Sequence, residues 1–214
     1  MKNRFSSRRL VPALLVGAVL GGASPSPALI INPIWDATIT GDVNAAIIQG
    51  SINAVIAQYQ AIFSDAITVP IKFQEVTGGL GGSSTFFGTI GYSTYRTFLA
   101  ADATMASDAT ALAHLLGGAV NPVNGAAAVA LTTANFRALG LSANPPAGNP
   151  DSTISLNTSI MNLDRTAINP GKYDLMAVAA HEIDEALGFG SALNGLANGA
   201  ATPTGAAWNL DLFR

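Results

Sequence analysis

Residues 173–191 read YDLMAVAAHEIDEALGFGS. Placed on an α-helix at about 100° per residue, Leu175, Met176, Ala179, Ala180, Ile183, Ala186 and Leu187 form one apolar arc, with Asp174, His181 and Glu185 on the opposite side. Positions four apart are neighbours on a helix surface, so the imidazole of His181 and the carboxylate of Glu185 can converge without any loop supplying the geometry. Asn169 and Pro170 are good cap and first-turn residues for such a helix, and Gly188 and Gly190 close it.

A nitrogen and a carboxylate oxygen so placed can share one cation. Zinc accepts both donor types at about 2.0 to 2.2 Å. Glu182 lies about a quarter turn from His181, where the zinc-binding pattern His-Glu-x-x-His puts its general base. Here Glu185 replaces the second histidine. An anionic ligand donates more charge and leaves the metal a weaker Lewis acid. The alternative is a solvated acidic face of Glu182, Asp184 and Glu185, with His181 simply paired to Glu185.

The surrounding chain has 214 residues, 49% hydrophobic and 11% charged, which suits one compact domain and excludes a charged disordered polymer. Lys2, Arg4, Arg8 and Arg9 precede an apolar run from Leu10 to Leu20, and Ser26 with Ala28 offers a small-x-small cleavage site before Leu29. Residues 1–28 thus read as a secretory signal peptide, too short for a membrane span, and no second long apolar segment follows. Beyond it stand six basic against 13 acidic residues, a net charge of -7 that makes nucleic acid an unsuitable partner. Cysteine is absent, so there is no disulfide framework, a combination more usual in bacterial than in small eukaryotic exported proteins. A secreted or cell-surface monomer is expected.

Ile30 to Ile34 predicts a first strand, and the apolar spacing from Val43 onward predicts a helix of roughly twenty residues. Ile67 to Val76 alternates like a half-buried strand, with Pro70 arguing for an edge or a bulge. Residues 78–84, GGLGGSS, read as a mobile loop with no phosphate-binding pattern. Tyr92 to Leu116 reads as one helix with Phe98, Leu99, Leu112 and Leu115 inward, 126–139 as strand then short helix, 144–150 as a turn-rich loop, and 153–160, TISLNTSI, as another strand. The order is α+β.

The block 157–195, NTSIMNLDRTAINPGKYDLMAVAAHEIDEALGFGSALNG, resembles the active-site region of secreted bacterial metalloproteases of the zincin fold. Within it HEIDEALGFGS is similar to the metzincin pattern His-Glu-x-x-His-x-x-Gly-x-x-His. His181, Glu182 and Gly188 match; Glu185 and Ser191 stand at the second and third histidines. DATALAHL at 108–115 and ITVPIKFQEV at 67–76 also look like a secreted bacterial group with this variant. The resemblance implies a zincin-like domain over 29–214, truncated after NLDLFR where such proteins continue, sometimes into a surface-sorting tail. It implies a twisted sheet with flanking helices, an edge strand that binds extended peptide, and a late active-site helix. TISLNTSI is the candidate for that edge.

On this reading the chain is a zinc-dependent endopeptidase acting on protein or peptide, with His181 and Glu185 as metal ligands and Glu182 as general base. The third ligand stays open among Ser191, Asp211 and Asp184, with His114 read as a packed histidine. Two alternatives stand beside it: a catalytically impaired zincin-fold binding protein, and a surface or biofilm matrix protein whose acidic face takes calcium.

Overall fold

Val69, Ile71 and Phe73 alternate with Thr68, Pro70, Lys72 and Gln74, and the computed structural model buries the first set completely while the second stays accessible. That period of two is what a sheet covered on one face requires. The structure describes residues 29–192 and 206–213; residues 1–28, expected from the sequence to be a signal peptide, lie outside them.

In chain order the elements are β1 (Ile30–Trp35), α1 (Ala37–Thr40), α2 (Ala45–Ile62), β2 (Thr68–Glu75), β3 (Gly81–Thr85), β4 (Phe87–Gly91), α3 (Tyr92–Asp102), α4 (Ala106–His114), β5 (Ala128–Thr132), α5 (Thr133–Ala138), β6 (Ser152–Leu156), β7 (Met161–Asn162), β8 (Tyr173–Asp174), α6 (Leu175–Ala186) and β9 (Ala207–Trp208). The architecture is mixed α and β, as the order of elements implied. Among the described residues no helix is long and apolar enough to cross a membrane.

The main sheet has the order β1-β2-β6-β3, with β1, β2 and β6 parallel and β3 antiparallel to β6. Parallel neighbours need a crossover, which α2 supplies between β1 and β2. Helices α2 and α6 cover one face: Ile48, Ile52, Val55 and Ile56 from α2, and Leu175, Ala179, Ile183 and Ala186 from α6, meet Ile31, Val69, Ile71, Phe73, Ile154 and Leu156 in one core. A second cluster, including Tyr92, Tyr95, Val129 and Leu131, gathers round the sheet β4-β5-β9.

Four expectations are corrected. Residues 81–85 are not loop but strand β3, because antiparallel pairing with β6 satisfies a backbone whose side chains carry almost no strand signal. TISLNTSI is not the edge: its first part is β6, held between β2 and β3. Pro70 lies in an interior strand; its carbonyl accepts from the Asp151 N–H, and β6 begins only at Ser152, so its missing N–H falls beyond the paired register and costs no ladder bond. The span 92–116 is two helices, because the Asp108 carboxylate accepts from the Thr104 and Met105 N–H groups at 2.9 and 2.8 Å and starts α4 afresh.

The two sheets are joined at Phe86, the one residue between β3 and β4. Its N–H donates to the Asp151 carbonyl and its carbonyl accepts from Thr133. Asp151, 1% exposed, is bound by Arg137 Nη1 and Nη2 at 3.0 and 2.6 Å and by the Thr133 hydroxyl, while Arg137 also donates to the carbonyls of Thr68 and Ala143. Arg137→Ala leaves that carboxylate buried and without its countercharge, so chemical denaturation should show a loss of about 3–5 kcal/mol. A loss under about 1 kcal/mol contradicts this role for the pair.

Candidate functional site

Helix α6 does not begin at Asn169. Its cap is Asp174, whose Oδ1 accepts from the Met176 N–H at 2.9 Å while Oδ2 takes Arg165 at 2.6 Å; Asn169 and Pro170 belong to the preceding turn, where Asn169 accepts from Gly171. The helix ends as expected at Gly188, whose φ of +92° suits glycine. The side chain of Asn135 closes on that turn and donates to the Leu187 carbonyl at 2.7 Å.

His181 and Glu185 do point the same way. Nε2 of His181 lies 3.6 Å from Oε1 of Glu185, and the side chains are 70% and 39% exposed. Two donors held at zinc distance and at the tetrahedral angle stand roughly 3.3 Å apart. The other oxygen of Glu185, Oε2, accepts from the Ser83 hydroxyl on β3 at 2.6 Å.

Glu182 is different. It is 5% exposed, no described side chain or backbone group donates to it, and it lies beneath Gly81 of β3, where a Cβ would stand 2.8 Å from its Oε1 and 2.7 Å from Val178 Cγ1. Burial raises its pKa, the neighbouring charge of Glu185 raises it further, and His181 opposes the shift. The apolar arc read from the sequence thus extends to Val178 and Glu182, because β3 covers a side of the helix that the sequence left to solvent.

The remaining acids are committed elsewhere. Asp184 faces α2, its Oδ1 2.7 Å from the Tyr59 hydroxyl, so it does not join His181. Asp211 is buried and accepts from the Ser191 hydroxyl at 2.6 Å and from the Ala192 and Trp208 N–H groups, so two third-ligand candidates are engaged with each other. His114 is exposed at the end of α4, not packed. Every His, Asp and Glu of the sequence lies among the described residues, and no three of them gather as a metal set. The donors fit a cation held by two protein groups with a base alongside; they do not fit a three-residue zinc set, nor, with Asp184 turned away, the oxygen cluster that calcium needs.

Sequence reading missed Gly81, Ser83 and Tyr59. The one available signal was that residues 81 and 83 are two apart, as partners facing one helix from a strand must be. Comparison of the chain with protein-family models, characterised proteins and solved structures finds no match.

Two outcomes follow from the packing over Glu182. Gly81→Ala puts a methyl group against Val178 and Glu182 and should cost about 1–3 kcal/mol in denaturant unfolding; a neutral result means β3 and α6 separate freely. The folded metal-free protein holds the Glu182 proton more tightly than the unfolded chain, so this group's stabilisation is present at acid pH and is lost as pH rises above the ordinary 4.5 through the raised value. Metal-free Glu182→Gln should therefore be more stable than the unsubstituted protein at neutral pH, with the difference vanishing in acid, as thermal melts across pH would register.

Proposed function

We propose that this chain is a zincin-like peptidase domain that hydrolyses peptide bonds in protein or peptide substrates, with His181 and Glu185 as the residues that would hold a zinc ion and Glu182 as general base. The observation that carries the reading is the close approach of His181 Nε2 and Glu185 Oε1 beside Glu182, a largely covered residue whose carboxylate has no protein donor.

A zinc ion, if held by His181 and Glu185, would supply Lewis-acid polarisation of water and of the scissile carbonyl. Glu182 would take a proton from the attacking water and return it to the leaving amine, and its raised proton affinity is of the sign that role needs. Strand β3 is the antiparallel edge of the main sheet and lies against α6, so its free side can align an extended peptide by main-chain hydrogen bonds along the site. Its residues Gly81 to Thr85 are all small, leaving the approach unobstructed.

A second reading, peptide capture on β3 without hydrolysis, is favoured by the donor set: Ser191 and Asp211 are paired to each other, and no third His, Asp or Glu stands with His181 and Glu185 among the described residues. Metal analysis with a peptide-cleavage assay separates the two. The peptidase reading expects about one zinc per chain, lost in His181→Ala, and chelator-sensitive cleavage that falls by about 10²–10⁴-fold in Glu182→Gln while zinc is retained. A dialysed protein that binds peptide but neither zinc nor cleaves establishes the second reading.

A further inference from the structure

Strand β3 has two faces and a free edge, and α6 occupies only one of those faces. Gly81 and Ser83 turn toward that helix, so by strand alternation Gly82 and Ser84 turn to the opposite side of the sheet. The Leu80 carbonyl accepts from Asn157, and the Phe86 N–H donates to Asp151. An antiparallel ladder bonds at every second residue, which assigns Gly82 and Ser84 to β6 and directs the N–H and C=O groups of Gly81, Ser83 and Thr85 outward. A peptide that pairs with those outward groups sets one residue directly opposite Gly82, with its side chain over the sheet face away from α6.

That face holds an open cleft of about 680 Å³, whose lining includes Gln74, Glu75, Gly82, Ser84, Thr153 and Ser155. Gly82, Ser155 and Gln74 form one row across β3, β6 and β2. Neighbouring strands lie about 4.8 Å apart, so a long side chain that crosses Gly82 ends beside Ser155 and Gln74. A Cβ on Gly82 would meet nothing within 4 Å, so the row is open at that point. Gln74 donates to the Ser155 hydroxyl at 3.0 Å, which leaves the Gln74 amide oxygen and a lone pair of Ser155 as acceptors. Glu75 is the only charged side chain among the described residues of the lining; one of its oxygens accepts from Thr158 and the other has no described partner. Lys72, on the same face of β2, is held by Asp36 at 2.7 Å and brings no free cation.

We propose that Gly82 sets the specificity of this edge for peptides that carry a basic residue: the arginine or lysine opposite Gly82 lies across it, toward the acceptors of Ser155 and Gln74 and the charge of Glu75. The inference rests on the reading of β3 as a peptide-binding edge, which hydrolysis and capture without hydrolysis share. An acidic side chain in the same place would face Glu75 with no countercharge. The net charge of -7 beyond residue 28 favours the same class of peptide at longer range. Any side chain on residue 82 would fill the row that the peptide's side chain needs.

The test is fluorescence anisotropy on the full purified protein, with labelled peptides of alternating threonine and valine that carry one central guest residue, Arg, Gln or Glu. Chelator in the buffer keeps binding apart from cleavage. The unsubstituted protein should bind the Arg peptide about 10-fold or more tighter than the Glu peptide, with Gln between, as charge-assisted hydrogen bonds supply. Gly82→Val suits a strand whose residue 82 has no positive φ and open space beside it, so thermal stability should hold while the Arg advantage shrinks to about two-fold or less. The substitution leaves net charge unchanged, so an Arg preference that survives it belongs to the acidic surface as a whole and overturns the proposal. Equal binding of all the peptides by the unsubstituted protein also overturns it, and leaves β3 as a peptide-binding edge. Binding of none of them overturns the edge reading and this one with it. Should Gly82→Val fail to fold, Gln74→Leu removes an acceptor from β2 without touching β3, and an unchanged Arg preference there is again decisive against it.

Discussion

Helix α6 lies close against strand β3 at Gly81, where the absence of a side chain leaves room for Val178 and Glu182. A Cβ there would overlap Val178 and approach Glu182 to 2.8 Å, closer than packed atoms settle. Everything distinctive about the site follows from that approach. It buries Glu182, it brings Ser83 within hydrogen-bond reach of Glu185, and it sets the antiparallel edge of the main sheet beside His181. Without it α6 would be an amphipathic helix with a solvated acidic face.

The contrast between the two glutamates of the motif is one of environment, not of residue type. Glu185, near the surface, has a hydroxyl on one oxygen and an imidazole near the other. Glu182, one helical step from His181, has protein around it and no donor, and burial holds its proton more firmly. The two carboxylates thus stand in different surroundings, as the proposed division of roles between them requires. The turn after the helix is equally constrained: a Cβ at Gly190 would fall within the Trp208 ring, and Asp211 ties the segment down through Ser191 and Ala192. That region is thereby committed to holding the chain, which explains why its polar residues do not complete a metal set.

Much of the fold could be read from residue order. The helix from Val43, the strands at Ile30 and Ile67, the strand-then-helix at 126–139 and the terminating Gly188 follow from apolar period and from glycine's freedom at positive φ. Tertiary pairing overrode the local signal elsewhere. GGSST has low strand propensity yet forms β3 because β6 supplies its hydrogen bonds. Asp174 is the cap of α6 and not one of its helical residues, and Asp108, inside the first turn of α4, turns back to the Thr104 and Met105 N–H groups, since a carboxylate next to free N–H groups gains more there than on a solvated face.

The sequence by itself determined that His181 and Glu185 share one side of a helix, because a four-residue spacing on a helix leaves no other arrangement. It also determined an α+β order, the absence of disulfides and an acidic surface. Only the tertiary structure decided that Glu182 is buried, that Glu185 is held by Ser83, that Asp184 turns to Tyr59, and that Ser191 and Asp211 hold each other. The reason is that burial and hydrogen-bond partnership are properties of what packs across from a residue, and β3, α2 and the 206–213 segment reach α6 from positions that no local period encodes.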